Sequence, residues 1–278
     1  MKNKLLLVAV GLFLSFGLSA QKYKVPGAYK GQAGQGMAIF EHNAYILSNT
    51  GYCRVYNLQQ HKVVREFQLA SYGKGNHANC ASFGVEHYGG NSVPVLYVSE
   101  SASPYRCFVE IINNAKPELV QTIQVYENDK PKATHDWIVD SKKGFLYTFT
   151  RRGLKDEKGL IRHSIIKYRL PALSEGKNVI LTSNDVIDQF ELAFLSMGQG
   201  GTIKGKYLYL PVGLSKANDG KRNDAERSIL VVDLKKKRIK KVIDLSDVIT
   251  DEPEDVSFDG KELLLFCGQK GGLWSIKK

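Results

Sequence analysis

Eight polar residues stand at the start of five short apolar runs. They are Gln35 in "GQGMAI", His77 and Asn79 in "NHANCASF", His135 and Asp136 in "THDWIVD", Gln199 in "GQGGTI", and Glu254 and Asp255 in "EPEDVSF". His77 and His135 have the chemistry of acid–base groups, with Glu254 and Asp255 as partners. Clustered carboxylates raise one another's pKa, which suits a general acid. Asp136, Glu254 and Asp255 also offer the oxygens a hard cation such as Ca²⁺ selects. The amides of Gln35, Asn79 and Gln199 suit hydrogen bonding to a polar ligand. No G-x-S-x-G, HExxH or Cys–His signature occurs, so no nucleophile is singled out. The loop "NDGKRND" lacks the ligand spacing of an EF-hand, and no metal site is assigned. The paired GQG stretches are not phosphate loops. Each opens an extended segment, whereas a nucleotide-binding glycine loop follows a strand and opens a helix.

These residues need a scaffold that gathers five distant points of the chain. Helical periodicity is nearly absent after residue 21. Short runs rich in Val, Ile, Leu, Tyr and Phe recur instead, such as "AYILSN", "VLYVSE", "FLYTFT", "YLYLPVG" and "ILVVDL", bounded by turns such as "NTG", "KKG" and "FDGK". Residues 35–70 read as four strands with tight connections, a meander that is the unit of a propeller blade. The unit recurs from "NHANCASF", "THDWIVD", "GQGGTI" and "EPEDVSF". The fifth unit lacks a fourth strand, while "KYKVPGAYK" (22–30) precedes the first without a place in it. An N-terminal strand in the last blade closes the ring and removes unpaired edges.

The expected fold is therefore all-β: a five-bladed β-propeller of four-stranded blades, closed by the N-terminal strand. First strands line a propeller's channel, so the eight residues converge at one mouth. The loops at 151–162 and 213–227 fall between second and third strands and surround the same mouth. Two readings of the polar ring stay open. It is a ligand site formed by convergent polar groups, or a structural ring bonded to itself and to water. The glycines of GQG let blades approach near the axis.

The stretches "GQGMAI", "NHANCASF", "HDW", "GQGG…YLYLPVG" and "EPEDV" resemble secreted bacterial β-propellers related to teichoic-acid biosynthesis protein C and to phage receptor-binding platforms. The overall look also resembles exported propellers of the Bacteroides kind. The likeness to the first group's "QGG…LYL…EPEG" pattern lies in Gln199–Leu210 and Glu252–Asp255, with Asp255 standing where that pattern has glycine. This resemblance implies a five-bladed propeller that engages a cell-envelope polymer. Five-bladed glutaminyl cyclases share the architecture, without a catalytic set that maps onto this chain.

The opening "MKNKLLLVAVGLFLSFGLSAQ" has the charged start, apolar stretch and small-residue end of a secretory signal peptide, cleaved after Ala20. Residues 1–20 are read as that signal and 21–278 as a single propeller domain. The expected location is exported, periplasmic or at the cell surface, with no transmembrane segment. The net charge of +11 becomes +9 without Lys2 and Lys4, a balance that suits anionic glycans, phosphate polymers or membrane surfaces. The densest basic run, "KKKRIKK" (235–241), falls on an outer strand and the opposite face, where lysines protect an edge from pairing. Cys53, Cys80, Cys107 and Cys267 read as small buried apolar residues, with any pairing undetermined.

The expected function is a binding module with a glycan or envelope polymer at the mouth. The alternatives are a hydrolase, lyase or cyclase using the same ring, cation-assisted or not, and a protein-interaction scaffold. The cofactor is unknown. A monomer is expected, with no nucleic-acid partner.

Overall fold

The computed structural model describes residues 22–24, 34–73, 77–113, 116–152, 160–194, 198–216 and 227–276. The signal segment and the central parts of the loops at 151–162 and 213–227 lie outside the described residues.

Five antiparallel sheets form a ring. Blade one comprises Gly34–Phe40, Asn43–Ser48, Tyr52–Asn57 and Lys62–Gln68 from axis to rim. Blade two comprises Ala78–Phe83, Leu96–Glu100, Cys107–Ile111 and Glu118–Glu127. Blade three comprises Asp136–Asp140, Phe145–Arg152, Ile161–Arg169 and Val186–Phe194. Blade four comprises Thr202–Lys204, Tyr207–Val212, Ser228–Asp233 and Arg238–Asp244. Blade five comprises Asp255–Asp259, Glu262–Phe266, Leu273–Ile276 and, at its rim, Lys22–Lys24. That last strand pairs antiparallel with Leu273–Ile276 in the register Lys22↔Ile276 to Lys24↔Trp274. The ring thus closes through the N-terminal segment, as its leftover position in the sequence implied.

Blade two exceeds the expected four strands. Lys130–Pro131 folds back on its rim, and Asn178–Leu181, inside blade three's final connection, adds parallel to Glu118–Glu127. A short parallel strand carried on a connection has no turn signal of its own, which is why the repeat pattern does not show it.

The middle strands are apolar on both faces because each blade is packed between two neighbours. In Asn43–Ser48, Tyr45 and Leu47 pack toward blade two, while Ala44 and Ile46 pack toward blade five. Five buried clusters result, one at each interface between blades. Trp137 is fully buried between blades two and three, a site where truncation to alanine costs about 3–5 kcal/mol. Cys53 is the second residue of blade one's third strand and Cys107 the first of blade two's. All four cysteines are buried free thiols, in agreement with their reading as small apolar residues.

The inner strands meet around Asp255, which is fully buried. Its Oδ2 accepts from Met37 N at 2.8 Å and Ala81 N at 3.2 Å. Its Oδ1 accepts from Gly201 N at 2.8 Å and its neighbour Val256 N at 2.8 Å. One carboxylate therefore joins blades one, two, four and five. The donors are available because the inner ladders slip by one residue, between Gly34 and Met37 and again between Ala78 and Ala81. A bulge of this kind leaves an N–H outside the ladder and bends the strand. Burial pushes the Asp255 carboxyl up, and the four N–H bonds oppose that shift by favouring the ionised form. Glycine is required beside it: Gly200 has φ +55°, and a Cβ there would lie 2.3 Å from Asp255 Oδ1. A Cβ at Gly36 would lie 2.8 Å from the Ala78 carbonyl oxygen, so blades one and two approach closely there.

Replacing Asp255 with alanine strands these donors in the core. At about 1–3 kcal/mol for each buried unsatisfied group, Asp255→Ala is expected to lose at least about 3 kcal/mol in denaturant unfolding. Asp255→Asn, which turns an NH₂ toward backbone donors, should also lose stability. A loss below about 1 kcal/mol for Asp255→Ala would remove its role as the tie between blades.

Candidate functional site

The bulges also aim the side chains at the mouth. Gln35 and Asn79 sit within the slipped segments of blades one and two. In blade four, Gly198 pairs with Val212 while Thr202 pairs with Tyr209, so the same slip surrounds Gln199. The three amides therefore occupy equivalent places, and His77 stands two positions earlier in the chain with φ 45°. The sequence reading gave His77 and Asn79 joint equivalence to Gln35. The register assigns that place to Asn79.

Four of the eight residues line one cavity of about 250 Å³: His77, Asn79, His135 and Gln199. Ser101, Phe149, His163 and Gly198 complete its wall. Gln35 and Glu254 occupy inner-strand starts elsewhere around the axis and do not line it. Asp136 lies beneath, and its Oδ1 accepts from Asn79 Nδ2 at 2.6 Å. Asp255 lies deeper, with both oxygens taken by backbone N–H groups.

Ser101 belongs to the loop "ESASPYR" between the second and third strands of blade two. Its N–H donates to the His77 carbonyl at 3.1 Å, and its hydroxyl donates to the His135 carbonyl. The Tyr105 ring meets the His135 ring edge-on at 5.6 Å. The hydroxyl thus holds the entrances of blades two and three together. His163 escaped sequence reasoning because it lies mid-strand in "IRHSIIKYR". It stacks on Phe194 at 3.8 Å and faces Phe149 at 5.0 Å. The one available signal was an imidazole inside an apolar strand. Burial lowers the His77 pKa, which keeps its ring neutral near pH 7.

The carboxyls are perturbed chiefly by burial. Asp136 is raised to about 7, with the Asn79 side chain and the Gly200 N–H pulling the other way. Glu254 is raised well above the usual range by burial and then by the charges of Glu252 and Asp255. Glu252 Oε1 accepts from Gln199 Nε2, linking blades four and five at this mouth.

Four oxygens of this set are buried without a hydrogen-bond donor among the described residues: Gln35 Oε1, Asn79 Oδ1, Asp136 Oδ2 and Glu254 Oε2. All are acceptors. Among the described residues no three His, Cys, Asp or Glu side chains are grouped to hold a metal ion. Of the four residues, Asn79 lines the cavity, whose side wall includes Phe149.

The Asp136 shift has a consequence for stability. A carboxyl raised from 3.8 to about 7 on folding binds its proton more tightly in the native state. The stability it contributes is full below the unfolded value near 3.8 and is lost as pH rises to about 7. Asp136→Asn keeps an oxygen for Asn79 and removes the titration. Thermal melts from pH 4 to 7 should therefore fall less steeply for Asp136→Asn than for the parent protein. Parallel profiles would show that Asp136 is ionised throughout.

No protein-family model matches the chain, and no curated protein matches it. Solved structures do resemble it. The glutaminyl cyclase of Myxococcus xanthus is 11% identical with a TM-score of 0.53, over 93% of this chain and 94% of that one. The β-propeller domain of Cps50 (Swd1) from Myceliophteria thermophila is 9% identical with a TM-score of 0.42, over 87% and 82%. At these identities the cyclase likeness establishes the fold alone, and that fold is the five-bladed β-propeller.

Proposed function

We propose that the chain is an exported binding module whose axial mouth takes a small ligand rich in hydrogen-bond donors, such as the terminal sugar of a glycan or envelope polymer. The observation that carries this reading is the cavity walled by His77, Asn79, Ser101, His135 and Gln199, in which the Asn79 amide oxygen is buried without a donor among the described residues. Buried polar groups are ordinarily paired, and each one left unpaired costs about 1–3 kcal/mol. A ligand hydroxyl or amino group supplies the missing donor at Asn79, and the polar side chains of the wall offer further partners. At about 250 Å³ the cavity is smaller than the ~300–1,000 Å³ of drug-sized sites, which suits one sugar-sized unit better than a whole chain. Phe149 offers an apolar wall for the ligand's less polar face. Export rests on the charged start, apolar run and small-residue end of residues 1–20.

A second reading, a hydrolase, lyase or cyclase, draws on Glu254. Burial and the neighbouring charges of Glu252 and Asp255 raise its pKa, the direction in which a general acid is tuned. Turnover of envelope glycans that is lost in Glu254→Gln would select this reading over binding alone.

The binding reading is tested by calorimetry against a panel of neutral monosaccharides, amino sugars and their disaccharides. At least one should bind. His135→Ala and Gln199→Ala are each expected to weaken it about three- to ten-fold, the effect of one lost hydrogen bond. A panel ligand bound equally well by the parent, His77→Ala, His135→Ala and Gln199→Ala proteins would place the binding site elsewhere.

A further inference from the structure

The far end of the channel carries different chemistry. A cavity of about 260 Å³ opens there at the ends of the inner strands, with a lining from all five blades. Ala38, Ser82, Val139, Thr202 and Ser257 contribute one residue from each. Along every inner strand these residues follow those of the first mouth, so the Asp255 knot separates the two ends. Lys142 and Lys204 also line this cavity.

A second cavity of about 320 Å³ runs outward between blades three and four, lined by Lys143, Lys167, Lys206 and Lys235. Lys142 and Lys143 are consecutive, as are Gly205 and Lys206. One member of each pair lines each cavity, so the two spaces adjoin across the same two turns.

Six lysines therefore follow one path from the channel mouth toward the rim. Lys143 pairs with Asp140 at 3.1 Å and Lys206 with Asp233 at 3.2 Å. Asp188, which also lines the cleft, is held by Lys237 at 2.5 Å. The local carboxylates are thus engaged. Lys142 and Lys235, near the two ends of the path, have no side-chain partner among the described residues. The half-buried Phe190 lines the cleft between the cations, with the buried Tyr147 beneath.

We infer that this path is a second binding site, for a linear acidic glycan whose carboxylates meet the lysines while a sugar face lies on Phe190. Charge spread along a cleft fits a chain of spaced negative charges better than a single anion. A concave path does not match a flat membrane surface. The aromatic lining distinguishes a sugar backbone from an inorganic polyanion, because sugar rings have apolar faces to place on it. The inference absorbs Lys235, the first residue of the "KKKRIKK" run, into a defined surface. It does not depend on the reading of the first mouth.

The test uses a fluorescently labelled hexamer of galacturonic acid, with the neutral galactose hexamer and inorganic polyphosphate as comparators, followed by anisotropy. The acidic hexamer should bind, and the neutral one should not. The double variant Lys142→Glu/Lys235→Glu should weaken binding about ten-fold or more, with a shallower salt dependence. Lys62→Glu/Lys177→Glu changes net charge equally at distant exposed positions and should have less than about a two-fold effect. Gln199→Ala, at the first mouth, should leave this binding unchanged. Equal weakening by the two double variants would show a response to net charge alone and overturn the site. Tighter binding of polyphosphate than of the acidic hexamer would overturn the glycan assignment.

Discussion

The structure depends on one carboxylate. Around a propeller axis the inner strands converge from five directions, and their backbone groups cannot all find ladder partners. Asp255 resolves this by taking N–H groups from blades one, two and four as well as from its own chain neighbour. A side chain with two oxygens and four lone-pair directions is suited to the task. An amide presents donors on one side, and a hydroxyl has one oxygen. The same knot explains the local glycines. Gly36 and Gly200 stand where another blade's backbone or the carboxylate itself occupies the space of a Cβ.

The knot also determines what the first mouth offers. The slips at Gly34–Met37 and Ala78–Ala81 that release N–H groups inward re-aim Gln35 and Asn79. Tying the blades and presenting the amides are thus two results of the same backbone irregularity. Asp136 extends this to the third blade through Asn79, at the cost of a buried carboxyl whose burial favours the protonated form. The two readings of the polar ring therefore divide by depth. Asp255 is structural, while Asn79, His135 and Gln199 face open space.

Much of this was legible in the sequence, for physical reasons. Blade strands are buried on both faces, so they read as apolar runs between turn residues, and five repeats of that pattern could be counted. The unplaced segment at 22–30 signalled closure. Polar residues at five inner-strand starts indicated the mouth, and four of them line one cavity. The rest was illegible because it depends on register and distant contact. Nothing in "GQGMAI" reveals a bulge, and that bulge decides that Asn79, not His77, matches Gln35. Phe149 and His163 reach the cavity from the second and third strands of blade three, so no alignment of strand starts contains them. Asn178–Leu181 pairs parallel with a neighbouring blade and carries no hairpin signal.

The separation of the two channel ends gives the fold a polarity that its near-repeats conceal. Strand direction places every inner-strand start at one end and every following turn at the other. Selection of side chains at each end is then independent, because the Asp255 knot lies between them. The first end has gathered acceptors and imidazoles; the second has gathered lysines, in the turns "SKKG" and "KGK" and in the outer turn "LKKK". These lysines come from turns of two adjacent blades, so their charges add along the cleft between them and are not spread evenly around the rim. A lysine-lined surface at one end and a cavity walled by neutral amides, imidazoles and a serine at the other differ in chemistry, and the net charge of +11 is consequently a poor guide to the first mouth.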